Sequence, residues 1–138
     1  MRTDSTITVF NRKRLETGGE FMLPTIIKGC TWHYAHIVSG TEYGDNNDEY
    51  SVRIPLDADT GGKEYIPPHD YAELSDELVD KYWTLQKNDL VVRGEMADTY
   101  EDQTQITSQT DDVFLVSTMA DNTFRGSKAT KHWRVGGA

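Results

Sequence analysis

The chain has 138 residues, 36% hydrophobic and 27% charged, with seven Tyr and three Trp. That balance is too aromatic and too mixed for a disordered chain, and the length suffices for one core without disulfides. Its 23 acidic and 14 basic side chains leave a formal charge of −9, which opposes binding to DNA or anionic membrane unless the positive groups gather on one face.

A lone cysteine excludes an internal disulfide and fits a reducing compartment. No apolar run approaches the ~20 residues of a bilayer span, and the N-terminus lacks the apolar core of a secretory signal. A single soluble domain over residues 1–138 is the expectation.

In chain order, ITVFNRK alternates Ile7, Val9 and Asn11 against Thr8, Phe10 and Arg12 and reads as a first strand. TIIKGCTWHYAHIVSG places Trp32, Tyr34, His36 and Val38 on one face and Thr31, His33, Ala35 and Ile37 on the other. Gly29 marks a bulge or bend, so this is a long strand bent once. EYSVRIP has the cleanest alternation, Tyr50, Val52 and Ile54 against Ser51 and Arg53, and stops at Pro55. YIPP fits only a short edge strand, because Pro67 and Pro68 carry no backbone donor.

DYAELSDELVDKYW is the one helical pattern: Asp70 with Glu73 resembles a capping box, and Tyr71, Leu74, Leu78 and Tyr82 recur at three- and four-residue spacing. It predicts one helix of two to three turns. Trp83 and Leu85 end that region, QKND is a tight turn, and LVVRGEM is a strand. TQITSQT, VFLVSTM and KHWRV each fit one strand, with GSKA a loop. Three loops, ETGGE, TEYGDNNDE and LDADTGGKE, interrupt the pattern. The whole predicts a mainly β protein, a small β-barrel or sandwich of about seven strands with one short helix and long loops.

CTWHYAH, residues 30–36, has the spacing of a metal site. In a strand rising ~3.3 Å per residue Cys30 and His36 stand ~20 Å apart while His33 faces the other way, and zinc needs ligands at ~2.0–2.3 Å. The β-branched and aromatic residues favour the strand, so Cys30 is expected to be a buried small side chain. DADTGGKE sets Asp57 and Asp59 before two glycines but has Gly61 and Pro68 where a calcium loop needs ligands, so it reads as a connecting loop. GDNNDE crowds Asp45, Asp48 and Glu49 together without fixed ligand spacing and reads as a solvated acidic loop.

No nucleophile elbow, phosphate loop, zinc helix or dinucleotide fingerprint occurs, so neither enzymatic activity nor a cofactor is expected. Trp32, Trp83 and Trp133 are expected in core and interface positions, with a stacking platform for sugars as the alternative. Lys128, Lys131, His132 and Arg134 make the C-terminus locally basic, consistent with a charged edge strand.

ITVFNRK, SVRIP, WTLQKNDLVVRGEM and the ending HWRVGGA together resemble a family of short proteins from tailed phages and prophages of Gram-positive bacteria. In such genomes the family is similar to the head-completion proteins between portal and tail. The resemblance implies a structural virion protein of the head-tail junction: a connector or stopper subunit repeated as a homo-oligomeric ring, between a portal-side adaptor and tail-side proteins, close to packaged DNA. A negative ring would let the duplex slide instead of sticking. Candidate contact residues are Asp45, Asp48 and Glu49, Asp57 and Asp59 in the second loop, and Trp133 and Arg134. A minor capsid or tail-completion protein and a carbohydrate-binding barrel are the alternatives.

Overall fold

The protein's computed structural model describes residues 5–38, 46–123 and 131–137, with side chains described at all of these except 36–38 and 46–48. The described residues hold eight strands: β1 Ser5–Arg14, β2 Glu20–Val38, β3 Asn46–Pro55, β4 Glu64–Tyr65, β5 Tyr82–Trp83, β6 Leu90–Arg93, β7 Val113–Asn122 and β8 His132–Gly137. Two five-residue helices, α1 Pro68–Ala72 and α2 Gln103–Thr107, and a 3-10 turn at Val79–Lys81 complete the described elements. Six strands close into a barrel in the order β1-β2-β3-β8-β7-β6, every pairing antiparallel, while β4 and β5 form a separate parallel pair. Closure removes the open sheet edges that would otherwise pair with other chains.

β1 shows why this sequence makes a barrel covered on one side. Ile7 and Val9 point into a core with Ile27, Cys30, Val52, Ile54, Val91, Phe114, Val116 and Val135. Phe10 turns outward, into a second cluster with Met22, Leu90, Val92 and Ile106. Both faces of β1 are therefore buried, which is what the near-continuous apolar run ITVF reflects. Ile106 belongs to α2, which lies over the outside of β1 and β6 as a small lid.

β2 serves two neighbours because it bends at Gly29. Residues 20–28 and Cys30 pair with β1 and residues 31–38 with β3. The register shifts where Ser5 faces Cys30 and Thr6 faces Lys28, leaving Gly29 as the extra residue of a bulge with φ +88°. Only glycine reaches that left-handed conformation without strain.

The helix expected over 70–83 is not formed. α1 stops at Ala72 without a side-chain cap, its N-cap being Pro67, and Asp70 and Glu73 build no capping box. The chain then bends, and Asp76 accepts hydrogen bonds from the Glu16 and Thr17 backbone N–H groups at 2.8 and 3.2 Å. Before the buried Trp83, Tyr71 and Val79 are the buried side chains of this segment, and Leu78 is 42% exposed. Docking onto the β1–β2 turn overrides the helical period.

TQITSQT, expected as a strand, holds α2 instead. Thr104 N–H donates to Asp102 Oδ1 at 3.1 Å, and the Gln105 side chain accepts from Asp102 N–H at 3.1 Å, a complete capping box. β8 is also no edge strand, since β3 and β7 flank it. The GSKA loop and Lys128 lie outside the described residues.

Candidate interaction surface

The spacing at CTWHYAH resolves as strand. Cys30 is fully buried, and burial pushes its thiol up to about 12, while His33 is exposed on the outer face. A thiol held protonated and enclosed is neither nucleophile nor metal ligand. Among the described residues no group of three or more His, Cys, Asp or Glu side chains is arranged to share a metal ion.

The loop at 56–64 is held by an ammonium group. Lys63 Nζ donates to the Pro24 carbonyl at 2.8 Å and to Thr25 Oγ1 at 3.1 Å, and its half-burial lowers the pKa from the usual lysine value. Asp59 is tied by its backbone, Lys28 N–H to Asp59 O at 2.8 Å and Asp59 N–H to Lys28 O at 3.0 Å, and its carboxylate accepts from Gly61 N–H at 2.9 Å. Asp57 is exposed beside it. The Asp59 contacts pin this loop to β2.

Asp45 lies outside the described residues, as does the side chain of Asp48. Backbone register nevertheless locates Asp48 opposite His36 and Glu49 opposite Ala35. This is the far end of the β2–β3 hairpin, where Ala35–Val38 pairs with Asn46–Glu49, while the β3 pairing with β8 begins only at Tyr50. Among the described residues, these strand ends pair only with each other and form a two-stranded arm beyond the closed barrel.

Trp133 and Arg134, neighbours in sequence, separate by face. Trp133 is 8% exposed and packs edge-to-face on Trp83 at 5.3 Å and against Tyr65 at 4.8 Å, so its ring belongs to the core. Arg134 is exposed and donates from Nε to Ser51 Oγ at 3.3 Å. Its register partner on β3 is Arg53, also exposed. Thr31, His33, Ser51, Glu49 and the two arginines line a shallow groove of about 370 Å3 on the outside of the barrel. Sequence alone shows Arg53 and Arg134 only as outward residues of two strands 81 positions apart; the β3–β8 pairing brings them together.

A second concavity, about 590 Å3, is lined by Trp32, Tyr34 and Tyr50 with Arg93, Asp111 and Asp112 at its rim. Tyr50 stacks on Phe114 at 5.2 Å, and Tyr34 leans on Tyr50 at 4.8 Å, so an aromatic ladder runs from the core to a Tyr34 that is 45% exposed.

No curated protein and no solved structure matches the chain. One family model does match, and it spans residues 2–138. The protein therefore belongs to DUF6751, a family of unknown function.

Proposed function

We propose that the protein is a non-enzymatic structural subunit of a phage head-tail junction, a connector or stopper that works as a homo-oligomeric ring between portal-side and tail-side components. The observation that carries this reading is the β2–β3 arm. A two-stranded ribbon is marginally stable on its own in water, so one extended past a closed barrel gains most by lying on another subunit. The end of the arm that carries Asp48 and Glu49 on β3 would then meet the neighbour or the channel, and the chain's surplus of negative charge keeps DNA phosphates from sticking there. The barrel supplies a rigid body that holds the arm in place.

Removing the gene from a phage that carries it tests this reading. The expected result is DNA-filled heads without attached tails, with the chain present in purified wild-type particles by mass spectrometry. Complete infectious particles lacking the chain would overturn it.

The aromatic groove favours a second reading, a barrel that stacks a sugar ring on Trp32 or Tyr34 and hydrogen-bonds its hydroxyls through Asp111 and Asp112. Quenching of tryptophan fluorescence by an oligosaccharide, abolished in Tyr34→Ala, would favour it. Unchanged emission across a glycan panel would exclude it.

A further inference from the structure

Closure of the barrel at the β6–β7 seam covers only the first part of β7. β6 pairs with residues 113–115, and two more backbone bonds reach Val116, from Asn88 N–H to Val116 O at 2.9 Å and from Val116 N–H to Asp89 O at 2.8 Å. The register of β7 on β8 then shifts between Val116 and Thr118, with Ser117 the additional residue, a device that re-aims a strand or ends its pairing. Among the described residues, 117–122 are held by β8 alone: no strand pairs with their other edge and no backbone hydrogen bond crosses it. All six residues are exposed, and Met119 is 39% exposed although it shares a face with the buried Val135. The one charge on this edge is Asp121, and it has neither the lysine nor the proline that commonly keep edge strands from pairing.

The register around β8 fixes where this edge lies relative to the β2–β3 arm. Tyr50, Gly137 and Val116 stand at one level of the wall, and Pro55, His132 and Asn122 at the other. The arm leaves past Tyr50, whereas the uncovered edge runs from Val116 toward Asn122, so a subunit's arm points away from its own edge. The two nevertheless match in length and charge. Residues 35–38 of β2 have β3 on one side and no described strand on the other, because β1 accompanies β2 only as far as Cys30. They carry no acid, whereas the β3 side of the arm brings Asp48 and Glu49, like charges for Asp121.

We propose that residues 35–38 of β2 add as a strand to the 117–122 edge of β7 in a second copy of this chain. The inference rests on the ring reading and names its contact. Main-chain hydrogen bonds between the two edges supply the affinity, as in other cases of strand addition. A contact between an arm past one end of the wall and an edge toward the other joins different surfaces of identical subunits. Its repetition gives a closed ring or a filament, never an isolated two-fold dimer.

Cysteine cross-linking tests the contact. Ala120 stands opposite the exposed Arg134, and Ala35 lies in the outward row of Thr31 and His33, so both positions belong to the outer face of the sheet. The native Cys30 is fully buried and its thiol stays protonated, so it does not compete. The full-length chain with Ala35→Cys and Ala120→Cys, treated with a short bismaleimide, should give a ladder of covalent multimers on a denaturing gel. Ala35→Cys with Leu78→Cys, an exposed position far from β7 in sequence, should give none. Equal ladders from both, or no ladder from the first while the wild type assembles in sedimentation velocity, would overturn the contact and leave the ring reading intact. Ala120→Cys alone cross-linking completely to a dimer would show that the edge takes a second β7, and the inference fails. A wild type that stays monomeric at every concentration would overturn both.

Discussion

Asp89 is 1% exposed, yet its carboxylate accepts from Arg12 N–H and Asn11 Nδ2 at 2.9 Å each and from Gln86 Nε2 at 3.3 Å. Burial pushes its pKa up to about 7, with those donors and Arg12 pulling only part of the way back. A folded pKa above the unfolded value of about 3.9 means that the folded chain holds a proton the unfolded chain releases. This contribution to stability is fully present below about pH 4 and is lost as pH rises through about 7. The thermal midpoint of the wild type should fall between pH 5 and pH 8, and Asp89→Asn should flatten that dependence. Identical pH slopes for the two proteins would show that Asp89 stays ionised throughout. Gly137 makes a second test at this scale. It lies between Tyr50 and Val116, and a methyl there would strike the Leu115 carbonyl and sit 2.9 Å from Phe114 Cδ2. Gly137→Ala should cost about 1–3 kcal/mol or more, read as a lower urea midpoint at unchanged slope.

The bend in β2 is the element on which barrel closure depends, because one strand must pair with β1 before Gly29 and with β3 after it. Gly29→Val puts a β-branched residue at φ +88° and should destabilise the protein by about 1–3 kcal/mol, measured by thermal melting. The lid makes a smaller, local contribution. Asp102→Ala removes one half of the α2 capping box and should cost about 1 kcal/mol, with amide exchange accelerated at residues 103–107 before the barrel strands. These elements also mark what was legible in the sequence. The alternation of β1 and β3, the Gly29 bend and the Asn88 turn at φ +72° follow from local chemistry and read directly. The 70–83 segment misled because its 3.6-residue period is real, while docking onto the β1–β2 turn decides its path. α2 was hidden by β-branched threonines around Ile106, although Asp102 and Gln105 carry the capping-box spacing that would have identified it. The arginine pair was illegible for a different reason: it exists only through a pairing between β3 and β8, which no local pattern encodes.

At the scale of the whole molecule, a closed barrel with a filled core leaves the surface as the place where work is done. On the described surface stand two arginines opposite each other on one wall, several acids and an exposed leucine along 70–80, and the backbone arm beyond Tyr50. Under the proposed ring reading, contacts between subunits that depend on charge weaken as salt screens it beyond about 8 Å at physiological ionic strength. The most direct test is native mass by light scattering on the purified full-length chain over a concentration series. The account predicts a mass that rises to a fixed multiple of the subunit and falls back as salt is raised. A mass equal to one subunit at every concentration and every salt would contradict it.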